Sequence, residues 1–163
     1  MTSTNWENHQ HHWEDPRMLT PAWLNTKDRF VPGTELFRSD RAFTVWAYTI
    51  SHSQLLLRTR TTMVDGSCSS RIDVVFKPVQ AMKVRIEYEG LVIRCATEAE
   101  VERINAESTG TDGDARCLIL ETEDDQDYVI THAVGWHEDM KTDRNPSRLA
   151  SFAPGSDPNR ILR

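Results

Sequence analysis

AFTVWAYTISHSQLLLRTR (42–60), RIDVVFK (71–77) and AMKVRIEYEGLVIRCA (81–96) are built on β-branched and aromatic residues that recur at a period near two. That pattern reads as several short antiparallel strands. In residues 42–50, Phe43, Val45 and Ala47 share one face, and Trp46, Tyr48 and Ile50 share the other. Both faces are apolar, so this strand is expected to be central and covered on both sides. Ser51-His52-Ser53 turns the chain, and residues 54–60 return as the second arm of a hairpin. The strand at 71–77 is expected to end at Pro78, which has no N–H for a ladder. Residues 81–88 alternate most cleanly: Met82, Val84, Ile86 and Tyr88 inward, Lys83, Arg85 and Glu87 toward water. Glu89-Gly90 then reads as a turn into a strand at 91–96.

Downstream, Thr97-Glu98-Ala99-Glu100 is a capping box that starts a helix over 98–106. Strands follow at 116–122 and 128–136, joined by the acidic loop EDDQD (123–127). Upstream, Thr20-Pro21 suits a helix start, and residues 21–30 are expected to form a short helix. The fold class is thus α+β and β-dominated, with antiparallel sheets forming a sandwich or a partly open barrel beside one or two short helices. The β-rich domain is expected over 21–138. Residues 1–20 form a polar N-terminal arm, and 139–163 an irregular C-terminal tail docked by Leu149 and Phe152.

Apolar residues make up 38% of the 163, below the roughly 45–50% usual when glycine is counted, and the shortfall lies mostly at the two ends. The formal charge of −6 argues against a broad nucleic-acid or anionic-membrane surface. No stretch approaches membrane length, and the N-terminus shows no apolar leader. Cys68, Cys95 and Cys117 include no C-x-x-C pair, which fits thiols in a reducing cytosol rather than a disulfide framework. The expected location is cytoplasmic.

No P-loop, G-x-G-x-x-G, H-E-x-x-H or G-x-S-x-G pattern is present, and no cofactor is implied. Three kinds of site remain. A small hydrolase-type enzyme would draw on His52, His132, His137 and Glu138, of which the last two close a strand in the run Gly135-Trp136-His137-Glu138-Asp139. A single-stranded nucleic-acid binder would use Arg38, Arg41, Arg58, Arg60 and Arg71, of which Arg58 and Arg60 share one strand face, with Trp46 and Tyr48 as stacking partners; the acidic balance makes nucleic acid the unlikely partner. The leading reading is a non-catalytic protein-interaction module. A protein partner or self-association would use those same Arg, Trp and Tyr residues, which interfaces favour, together with Trp136. His9, His11 and His12 are metal-ligand types, yet their segment offers no backbone to fix a geometry, so no metal site is assigned.

Overall fold

The computed structural model describes residues 18–108 and 112–155. The histidines His9, His11 and His12 lie outside the described residues. Nine strands are present among those described: β1 (Ala22–Leu24), β2 (Glu35–Thr49), β3 (Gln54–Thr59), β4 (Met63–Val64), β5 (Ser67–Cys68), β6 (Arg71–Lys83), β7 (Glu87–Cys95), β8 (Arg116–Glu121) and β9 (Gln126–Asp139). One α-helix, α1 (Glu98–Glu107), lies between β7 and β8. β4 and β5 form a separate small hairpin. The other seven strands make one antiparallel sheet in the order β1-β9-β6-β3-β2-β7-β8, and β8 also pairs with β9. The ladders therefore run in a closed circuit, with β1 added beside β9. β9 closes the circuit because it is long: β8 takes its edge at residues 126–131, and β1 takes the same edge at 134–136.

Alternation gives each strand an inner and an outer side. Phe37, Phe43, Leu55, Leu57, Val74, Phe76, Leu91, Ile93, Leu118 and Leu120 meet in the inner core. Two outer faces carry smaller cores. Leu56 and Val75 lie under Trp23, Leu149 and Phe152. Ile119 and Ile130 lie under α1, which contributes Ile104 and Val101. Strands apolar on both sides are thus explained by separate covers, a helix on one flank and β1 with the C-terminal segment on the other.

Four sequence expectations are corrected. Residues 21–30 do not form a helix. Ala22 and Leu24 face the inner core while Trp23 faces out, a period of two that pairs with residues 134–136. Asn25 and Asp28 then close the turn through the bonds Lys27 N–H to Asn25 Oδ1 (2.9 Å) and Asn25 N–H to Asp28 Oδ2 (2.8 Å). Pro78 does not end its strand. The β3 ladder already stops at Leu55–Phe76, and the β9 register passes over Pro78 to resume at Val79; the Lys77–Pro78 peptide is cis. Glu89-Gly90 is not a turn. The chain reverses between Lys83 and Glu87, and Gly90 lies inside β7 with φ +77°, opposite the irregularity between Ser39 and Ala42 of β2. The inward set of 81–88 is consequently split: Tyr88 is buried, whereas Ile86 is 75% exposed. Finally, Trp46, Tyr48 and Ile50 are not covered, since β7 leaves β2 after Thr44.

The helix expected from the capping box is present, with both reciprocal bonds formed at Thr97 and Glu100. The Glu100 carboxylate also accepts from Arg94 Nη1 (2.7 Å) and Nη2 (2.9 Å), and Arg94 in turn reaches Glu121 (2.7 Å). The Arg94 bond, assisted by the cap, holds the Glu100 carboxyl at about 2 despite burial. A folded-state value below the ordinary 4.5 means that this stabilisation is complete above about pH 4.5 and fades as the pH falls toward 2. Glu100→Gln should therefore be less stable than the parent at pH 7, with the gap in urea midpoint closing between pH 4.5 and 2.

Gly135 lies against Trp23. A Cβ added there would sit 2.3 Å from Trp23 Cε3 and 2.8 Å from the Ala22 carbonyl oxygen. Neither the buried ring nor the backbone can yield cheaply. Gly135→Ala should cost about 1–3 kcal/mol, read as a lower urea midpoint at unchanged slope.

Candidate functional site

The residues named for chemistry are scattered. His52 sits exposed in the 3₁₀ turn Ile50–His52. His132 faces Gln80 (2.9 Å) and Asp112 (3.6 Å). His137 and Glu138 are strand neighbours and point to opposite sides of β9. No hydrogen bond or ion pair joins any two of the three histidines among the described residues. His137 lies 3.5 Å from Asp139 and opposite Asp73 in the ladder. Burial lowers its pKa, and the nearby carboxylate of Asp139 offsets only part of that. Two of the three thiols, those of Cys95 and Cys117, are unsuited to attack, because the nucleophile is the thiolate. Burial pushes Cys117 up to about 11 and raises Cys95 as well.

Glu138 faces an open cleft of about 870 Å³ whose floor includes Leu19, Ile72, Leu91 and Val92. Its carboxylate accepts the Leu19 N–H (2.8 Å) and the Ser70 hydroxyl. Arg41 holds Ser70 from the other side, at Oγ (3.1 Å) and at the carbonyl (2.6 Å). Both Glu138 oxygens are engaged, so Arg41, Ser70 and Glu138 act as a clasp between β2, the start of β6 and the chain before β1. The sequence offered Arg41 only as one of several arginines for a nucleic-acid surface and did not mark Ser70, since the clasp joins positions 41, 70 and 138.

The arginine stripe is not a surface. Arg58 is 1% exposed. It donates to Asp73 through Nε (2.6 Å) and Nη2 (3.0 Å) and to the Asp143 carbonyl (2.7 Å). Trp46 lies over its guanidinium at 5.1 Å. Arg71, fully buried, reaches Asp139 and the carbonyls of Thr142 and Asn145. Lys77 donates to the Ala150 carbonyl, and its burial lowers its pKa. These cations hold the C-terminal segment by its backbone. Arg60, by contrast, is exposed, and it pairs with Glu87 and contacts Thr44 Oγ1; Arg38 is exposed as well and pairs with Glu35. Trp136 is also internal: it packs at 5.4 Å from Phe37, and its indole N–H donates to the Thr20 carbonyl (3.1 Å).

What remains on the surface is the distal end of β2. β7 pairs with β2 as far as Thr44–Glu87, and Val45 N–H still donates to the Ile86 carbonyl (2.8 Å). Residues 47–49 pair with β3 on one side and with no described strand on the other. Trp46 is the extra residue of the irregularity between Val45 and Ala47. Around this edge stand Trp46 and Tyr48, each 44% exposed, Ile50 at 87% and Ile86 at 75%. Sequence reasoning singled out Trp46 and Tyr48 but placed Ile50 and Ile86 inside.

No protein-family model, curated protein or solved structure matches this chain. No helix among the described residues is long and apolar enough to cross a membrane, and among those residues no group of three or more metal-ligating side chains gathers.

Proposed function

We propose that the closed circuit of ladders is a small barrel, and that it serves as a rigid scaffold for a non-catalytic polypeptide-binding module. The docking element is the distal edge of β2. The observation that carries this reading is the coincidence of a strand edge that pairs with no other described strand and four large exposed apolar residues. Proteins ordinarily blunt a free edge with charge, proline, a bulge or a cover; residues 45–51 hold no charge and no proline, which leaves the bulge at Trp46 as the device present on this strand. An added strand would gain main-chain hydrogen bonds at the edge, and Trp46, Tyr48, Ile50 and Ile86 would supply the side-chain contacts. Trp and Tyr are the residue types that dominate binding energy at such sites. The three free cysteines favour a reducing compartment such as the cytosol.

The test is a photoreactive benzoylphenylalanine introduced in place of Ile50, with Glu102 on the exposed side of α1 as the control position. Illumination in intact cells should join position 50, and not position 102, to a polypeptide. Equal labelling at the two positions, or none at position 50, overturns the proposal.

A further inference from the structure

We infer that the polypeptide docked on the distal edge of β2 is a second copy of this chain, joined edge to edge about a two-fold axis. This inference rests on the proposed role of that edge.

Geometry allows it directly. An antiparallel ladder is compatible with a perpendicular two-fold, so the same edge can serve both partners. Residues 46–49 of one copy would run against 49–46 of the other, which makes the two β2 ladders continuous.

Charge allows it as well. The whole chain carries −6, a net charge that opposes self-association in general. This edge adds little to that. Residues 45–51 hold no charged side chain, and the flanking Arg60 and Glu87, like Arg85 beside Ile86 and its partner Asp125, already neutralise each other as ion pairs. A strongly acidic or basic partner would find nothing here to complement it, whereas an identical uncharged edge meets no penalty.

The area is sufficient, though small. A large apolar side chain presents roughly 150–250 Å². The exposed fractions of Trp46, Tyr48, Ile50 and Ile86 therefore amount to on the order of 400–600 Å² per copy. Doubled, that approaches the ~1,000 Å² expected of a specific contact and falls in the weak, exchanging class. The dimer should accordingly form at micromolar concentration and above rather than be permanent.

Sedimentation velocity of the full chain should show monomer near ~1 µM and a rising dimer fraction toward ~500 µM, a span that lies inside the micromolar-to-millimolar range of weak dissociation constants. Ile50→Glu and Ile86→Glu alter residues that touch solvent in the monomer, so their thermal melts at low concentration should match the parent, and both should remain monomeric throughout. Amide exchange at residues 46–49 should slow with concentration in the parent and not in the variants. A chain that stays monomeric at ~500 µM, or a dimer that Ile50→Glu leaves intact, overturns the inference. The two readings fail separately. Crosslinking from position 50 to a different polypeptide, with a monomeric purified chain, removes the second copy and leaves the binding module. Absence of crosslinking from position 50 to any polypeptide removes both.

Discussion

Asp73→Ala should destabilise the protein by about 3–5 kcal/mol, the cost of breaking a buried ion pair from one side. Asp73 is 2% exposed and receives two hydrogen bonds from Arg58, and Arg71 Nη2 lies 3.6 Å away. Its removal leaves the two buried guanidiniums, among the described residues, with Asp139, backbone carbonyls and the Trp46 face as partners. Neither cation can shed its proton to relieve the burial. The variant Asp73→Leu/Arg58→Met should recover much of the loss, because an apolar pair of similar size escapes desolvation altogether. Urea midpoints for the two single variants and the double variant measure the coupling. The carbonyls gripped by Arg58 and Arg71 belong to residues 142–146, so limited proteolysis should cut Asp73→Ala first in that segment. A loss below about 1 kcal/mol, the scale of a surface pair, would show that the site is wet.

The same residues explain what the sequence disclosed and what it hid. Local signals read correctly. Thr97 and Glu100 cap a helix within one turn, and the acidic loop expected at 123–127 does join β8 to β9, although Gln126 and Asp127 already belong to β9. Signals with two meanings read poorly. Gly90 suits a turn or a left-handed position inside a strand, and only its partner strand decides between them. Pro78 breaks a ladder only where a neighbour needs its N–H, and β3 has ended by then. Three-residue β1 is too short for its period of two to be recognised in the sequence, and its conformation is imposed by β9. Arg58 and Asp73 occupy positions that alternate with buried residues, so each reads as solvent-facing. They are buried by residues 142–150, some 70 to 90 positions away in the chain. Trp46, Tyr48 and Ile50 show the converse. An apolar face looks alike in sequence whether the fold covers it or leaves it for a partner.

The covers that hide Arg58 also set the largest effect expected of an apolar residue. Trp23→Ala should cost about 3–5 kcal/mol. Trp23 is fully buried although its strand has only three residues. Its ring packs with Leu56, Val75, Ala133 and Leu149, meets Phe152 edge-on at 5.8 Å, and lies over Gly135. One side chain therefore ties β1 to β9 and both to the C-terminal segment. The indole N–H finds no acceptor among the described residues, so the ring contributes through area and shape. Trp23→Phe, which discards that N–H and keeps an aromatic ring, should accordingly lose far less than Trp23→Ala. The lost ring also strands its neighbours: Leu149 and Phe152 would face the space it leaves. Trp23→Ala and Phe152→Ala should then be less than additive, with a coupling of about 0.5–3 kcal/mol, because the second truncation removes contacts the first has already lost. Strict additivity in their urea midpoints would mean that β1 and the C-terminal segment are held independently, each by its own ladder or by the buried cations.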